Sequence, residues 1–129
     1  MSVEEVRKML DTVKLVAPVH LFRTRGSDWA IYVPRRYACV IGLQPGQRYE
    51  IIEGDKYVIY IPSLDGKGKR VRRIARKHCA LPVPYTFVKK VKSDYLRLVA
   101  LEGGVLLLEA FKPLDPLFTS RRRGKPVEG

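Results

Sequence analysis

The sequence predicts a mainly β protein: one small β-barrel built from two tandem repeats in a single chain, with a short N-terminal helix. Three observations carry this expectation. The first is an internal repeat. Residues 30–61 read AIYVPRRYACVIGLQPGQRYEIIEGDKYVIYI and residues 80–110 read ALPVPYTFVKKVKSDYLRLVALEGGVLLLEA. Each runs through a Val-Pro, a short aromatic-bearing stretch, an alternating strand, a Glu-Gly turn and a second apolar strand. Val33-Pro34 aligns with Val83-Pro84, Glu53-Gly54 with Glu102-Gly103, Arg23 with Arg73 and Ala30 with Ala80. The second is size: a unit of about 40 residues cannot bury enough apolar surface to stand alone. The third is the open sheet edges such a unit leaves, which closure against a second unit removes.

The elements follow in order. Residues 3–13 place Val3, Val6, Met9, Leu10 and Val13 at helical spacing. Ser2 and Glu5 form a capping box ahead of them, and Pro18 rules out a long continuous helix. Residues 19–25, VHLFRTR, predict a first strand, Gly26-Ser27-Asp28 a turn, and Trp29 to Val33 a second strand. Pro34 fits the start of one helical turn, Arg35 to Ile41, with Gly42 as its stop. Gln44-Pro45-Gly46-Gln47 has the Pro-Gly centre of a type II turn. Arg48 to Glu53 and Tyr57 to Ile61 predict a hairpin closed by Gly54-Asp55-Lys56. The polar, glycine-rich stretch PSLDGKGK, residues 62–69, predicts the linker between copies.

The chain thus divides into an N-terminal helix and connector (1–18), a first repeat (19–64), a divergent second repeat (65–111) and a proline-broken basic tail (112–129) whose last ten residues are expected to be mobile.

Composition narrows the partners. Across 129 residues the net charge is +12, with pI near 10.0. That excess points to a polyanion, nucleic acid ahead of anionic membrane. No apolar run approaches the roughly 20 residues of a membrane span, and MSVEEVRKML lacks the layout of a signal peptide. A soluble, cytoplasmic protein without a membrane partner is expected. Asn is absent and Gln occurs only at 44 and 47, which fits a thermophile. Cys39 and Cys79 make no disulfide framework and are read as buried free thiols. Neither they nor His20 and His78 have the spaced pairs of a zinc site, so no metal or cofactor is expected. Trp29 is read as core rather than as a base-stacking platform. With no phosphate-binding glycine loop, no Ser/His/Asp set and no paired carboxylates recognisable, the chain is not expected to be an enzyme.

Residues 19–61 resemble the AbrB-type (SpoVT/AbrB, MazE-like) swapped-hairpin DNA-binding domain. The elements that carry the resemblance are VHLFRTR, Gly26, WAIYVP, RRYACVI, GLQPG and the hairpin 48–61. The second copy keeps Val83-Pro84 and its hairpin but has VKSDYL in place of Gly-Leu-x-Pro-Gly. The resemblance implies two hairpin units interleaved into one barrel, here a monomeric pseudo-dimer within one chain, or else a homodimer. It also implies a DNA-binding function, transcriptional regulation first, with contacts on the basic strand, its loop and the turn after Val-Pro.

The matching residues in the first copy are Arg23, Arg25, Arg35 and Arg36. In the second, Arg70, Arg72, Arg73, Arg76 and Lys77 fall on the basic strand and its turn, while Lys89 and Lys90 follow Val83-Pro84. Arginine suits bidentate capture of phosphates and guanine edges. Residues 67–77, KGKRVRRIARK, carry seven basic residues and no acidic one; whether they form strand or loop is open from the pattern. Arg121, Arg122 and Arg123 in the tail suit phosphate contact without base reading. Double-stranded DNA is therefore the expected partner. RNA, an antitoxin role beside an enzyme partner, and a scaffold whose charge is incidental are the alternatives.

Overall fold

The computed structural model describes residues 3–9, 13–24, 26, 28–74, 78–93 and 95–110. Within them the chain runs α1 (Val3–Lys8), β1 (Leu15–Arg23), β2 (Trp29–Val33), α2 (Arg35–Ile41), β3 (Arg48–Glu53), β4 (Tyr57–Pro62), β5 (Lys69–Arg70), β6 (Arg72–Ile74), β7 (His78–Pro82), α3 (Tyr85–Val91), β8 (Tyr95–Ala100), a 3-10 turn (Glu102–Gly104) and β9 (Leu106–Ala110). The nine strands form one antiparallel sheet in the order β5-β3-β4-β9-β8-β1-β2-β7-β6.

The two ends of that order are consecutive pieces of one segment. Lys69 and Arg70 pair with β3, and Arg72 to Ile74 pair with β7. Between them the Gly46 N–H donates to the Val71 carbonyl and the Val71 N–H donates to the Gln47 carbonyl, both at 2.8 Å. Residues 69–74 thereby join both edges, and the sheet is a nearly closed barrel. Closure satisfies edge groups that would otherwise template pairing with another chain.

Alternation fills the interior. Val19, Leu21, Ile31, Val33, Val58, Tyr60, Val71, Cys79, Leu81, Leu96, Leu98, Leu106 and Leu108 point inward, with Phe87 of α3 and Leu43 packed among them. Tyr60 is fully buried, and its hydroxyl donates to the Pro82 carbonyl at 2.7 Å. Burial pushes the Tyr60 phenol upward, and burial also raises Tyr49 to about 12, with a smaller contribution from Cys79. A second, smaller cluster lies on the other face, where Ile59, Val99, Leu101 and Val105 pack with Val6 of α1. Runs such as VIYI and LLL are apolar on both phases because both faces are covered there.

Both Val-Pro pairs do the same job. Pro34 and Pro84 each precede a seven-residue helix. α2 ends on Gly42 at φ 76°, and α3 ends on Lys92 at φ 50°, the one non-glycine residue with positive φ among the described residues. The expected type II turn is present, with Gly46 at φ 90° and the Gln47 N–H donating to the Gln44 carbonyl at 3.2 Å.

Four expectations are corrected. α1 spans Val3–Lys8 and Val13 lies outside any helix, while residues 10–12 of the expected helix lie outside the described residues. β1 begins at Leu15, so Pro18 lies inside a strand. It is tolerated because residues 15–19 pair only with β8, while β2 pairs from His20 onward; a proline can occupy a strand position whose N–H side has no partner strand. Glu102-Gly103 is not the counterpart of Glu53-Gly54. The Gly54 N–H bonds the Tyr57 carbonyl and the Leu101 N–H bonds the Val105 carbonyl, each at 2.8 Å, so Leu101 occupies the corresponding place. Both thiols are free, but Cys39 is exposed and only Cys79 is buried. No helix among the described residues is long and apolar enough to cross a membrane.

Candidate nucleic-acid interface

The end of β1, the start of β2, β3, the segment 68–72 and the start of α3 enclose an open groove of about 1170 Å³. Five cations line it: Arg23, Arg48, Lys69, Arg70 and Arg72. Asp28 and Glu53 are its carboxylates, and both are engaged. Asp28 lies 3.9 Å from Arg72. Glu53 accepts a short hydrogen bond from the Thr86 hydroxyl and an ion pair from Lys90 at 3.2 Å. The Thr86 bond is the chief reason the Glu53 carboxyl sits below its ordinary range; burial opposes it, and the hydrogen bond and charge of Lys90 add to the lowering. The groove therefore carries an excess of positive charge.

The sequence-predicted residues fall into three groups. Arg23, Arg70 and Arg72 come together on the groove. Arg23 ends β1, with its guanidinium carbon 5.9 Å from the centre of the Trp29 ring. Arg35, Arg36 and Arg73 are exposed but lie outside the lining. Arg35 and Arg36 open α2; the Arg35 N–H donates to His78 Nδ1 at 2.8 Å, and Arg36 sits 4.9 Å over the Tyr37 ring. Arg73 pairs with Cys79 on β7. Arg25, Arg76, Lys77, Arg121, Arg122 and Arg123 lie outside the described residues. Of the lysines after Val83-Pro84, Lys89 lies 5.4 Å from the Tyr85 ring centre and Lys90 reaches Glu53.

Sequence reasoning missed Arg48. It opens β3 in an ordinary alternating strand, and nothing local marks it; only the long-range pairing of β3 with β5 sets it opposite Arg70. Trp29, read as core, is partly buried at the rim, touching the core on one side and the groove on the other. Tyr85, 61% exposed, stands across the same groove. The buried Thr24 hydroxyl, on the same lining, has no hydrogen-bond partner among the described residues.

This set of groups suits capture of an anion. Guanidinium forks bind phosphate bidentately, and aromatic rims offer faces to bases. The lining contains no histidine, cysteine or serine. Among the described residues no three His, Cys, Asp or Glu side chains gather as metal ligands. Family models, curated proteins and solved structures were compared with the chain, and none matches it.

Proposed function

We propose that this chain is a nucleic-acid-binding barrel of the AbrB type, acting on double-stranded DNA as a transcriptional regulator, with two interleaved repeats forming a pseudo-dimer in one monomeric chain. The observation that carries the reading is the convergence of Arg23, Arg70 and Arg72, from two distant basic segments, with Arg48 and Lys69 on one groove.

The pseudo-dimer is supported by register. Adding 50 to the pairs Phe22–Ala30 and Arg23–Trp29 gives Arg72–Ala80 and Arg73–Cys79, which are also pairs. Under the same shift Ala30–Pro82 and Tyr32–Ala80 exchange, and Ile31–Leu81 maps onto itself. The second hairpins meet through β4 and β9. β1 pairs with β8 as β5 pairs with β3. Exchanging the two repeats leaves the cyclic strand order unchanged, as interleaved halves require. A single chain of this kind closes its barrel without a partner, so the expected solution state is a monomer.

Titration of the full chain into a labelled duplex at several salt concentrations tests the reading. Neutralising about five phosphates gives a slope of log K against log salt near −4.5. Absence of binding, or a flat slope, overturns it. A second reading, single-stranded RNA, is favoured by Trp29 and Tyr85 at the groove; tighter capture of a single strand than of duplex in competition selects it.

A further inference from the structure

We infer that Arg48 and Arg70, with Lys69, form a phosphate-binding site that exists on one side of the barrel only. The inference rests on the nucleic-acid reading above and names where the backbone is gripped.

Arg48 and Arg70 are directly opposite one another across β3 and β5. Like charges at such a position destabilise a sheet. Neither forms an ion pair with a carboxylate among the described residues. Arg48 is held in place by one bond, from its Nη1 to the Gly68 carbonyl at 2.9 Å. A guanidinium carries five N–H donors, so most of the fork remains for a ligand. Gly68 fixes the approach: its φ is +94°, and a Cβ there would lie 2.2 Å from the Tyr49 carbonyl oxygen. Lys69 follows directly, and all three cations line the groove.

The fold does not demand this arrangement. On the two-repeat reading, β1 against β8 is the counterpart of β5 against β3, and His20–Tyr95 is the counterpart of Arg70–Arg48. There the two rings meet edge to face with centroids 5.0 Å apart. The counterpart of Lys69 is Val19, which is buried, and that of Arg72 is Phe22. One side uses this register for an aromatic contact. The other sets two facing cations beside a third, an arrangement that an anionic ligand between them relieves. A phosphate group, with oxygens for both forks, is the ligand that fits.

The test uses the full chain and a short random-sequence duplex. Arg48→Tyr with Arg70→His installs the aromatic pair already used on the other side. His20→Gln with Tyr95→Phe is the matched control. The first variant is expected to bind roughly 10- to 100-fold more weakly, with a salt slope shallower by about 1–2, and the control to bind as the parent does. Equal affinity of parent and first variant, or equal losses in variant and control, overturns the inference. Should the double variant not fold, Arg70→Gln at the exposed position carries the same test, with an expected loss of roughly tenfold. If the parent binds no duplex, the DNA reading fails by itself. Inorganic pyrophosphate then decides the site: shifts of the Arg48 and Arg70 Nε–H resonances in NMR support it, and unmoved resonances overturn it.

Discussion

Gly68→Ala is the sharpest probe of the barrel's closure, and Gly66→Ala is its control. Both glycines have positive φ, +94° and +78°, but a Cβ at 66 meets nothing within 4 Å, whereas one at 68 lands on the Tyr49 carbonyl. Backbone strain alone costs about 1–2 kcal/mol at either position. At 68 the clash with fixed backbone forces the segment off β3. That loosens the Lys69–Arg70 pairing and the Arg48 bond to the Gly68 carbonyl, adding about 0.5–1.5 kcal/mol per bond lost. The expected totals are about 1–2 kcal/mol for Gly66→Ala and about 3–5 kcal/mol for Gly68→Ala. Equilibrium urea unfolding followed by Trp29, the sole tryptophan, measures both. If Gly68→Ala costs no more than Gly66→Ala, residues 69–70 do not hold the barrel closed, and the argument for closure is wrong.

Three further predictions concern the frame around the groove. Tyr60→Phe removes the donor to the Pro82 carbonyl and is expected to cost about 1–2 kcal/mol in the same assay, leaving a part-buried carbonyl unpaired. Lys92→Gly relieves the left-handed residue that ends α3 and is expected to stabilise by about 1 kcal/mol, read as a higher melting temperature. Thr86→Val removes the hydroxyl that lowers the Glu53 carboxyl pKa. A depressed carboxylate stabilises fully above its unfolded pKa and loses that contribution as pH falls through the folded one. The stability gap between parent and variant should therefore be full at neutral pH and close progressively as pH drops below the ordinary value of 4.5; a gap constant from neutral to strongly acid pH would count against the Glu53 assignment.

Much of the frame was legible because it is written in local chemistry. Val-Pro followed by Gly42 marks α2 through a fixed proline φ and a left-handed stop. Alternation over Arg48–Ile51 marks the start of β3, and the repeat carried a strand onto β8. The misreadings share one cause, in that tertiary pairing decides what local pattern leaves open. Pro18 reads as a break until β8 is known to be the only strand beside it. The run from 67 onward reads equally as strand or linker until β3 and β7 take opposite ends of it. Arg48 is anonymous until β5 brings Arg70 across. The groove was half legible for the same reason: charge density along the chain points to Arg70 and Arg72, but only the fold brings Arg23 to the same lining.

If the chain is the pair of fused repeats proposed above, the proposed site also bears on why two repeats in one chain differ from two identical chains. In a symmetric dimer every substitution appears twice, so an Arg48–Arg70 pair would carry its like-charge cost at both ends of the barrel. In a chain already at +12, that repetition adds self-repulsion to the compact state. A fused pair of repeats escapes the constraint. One end can place His20 against Tyr95 and Val19 in the core, contributing stability. The other can spend the same register on Arg48, Arg70 and Lys69. On the proposed two-repeat reading this division of labour would account for the divergence between copies: Phe22 against Arg72 and Val19 against Lys69 differ in charge at positions that reading matches. On this argument the sequence changes between the repeats should concentrate at registers that face the groove in either copy, Lys69 against the inward Val19 among them, and spare core registers that line it in neither. Ile31 with Leu81 and Tyr37 with Phe87 keep their apolar or aromatic character at the core, as it requires.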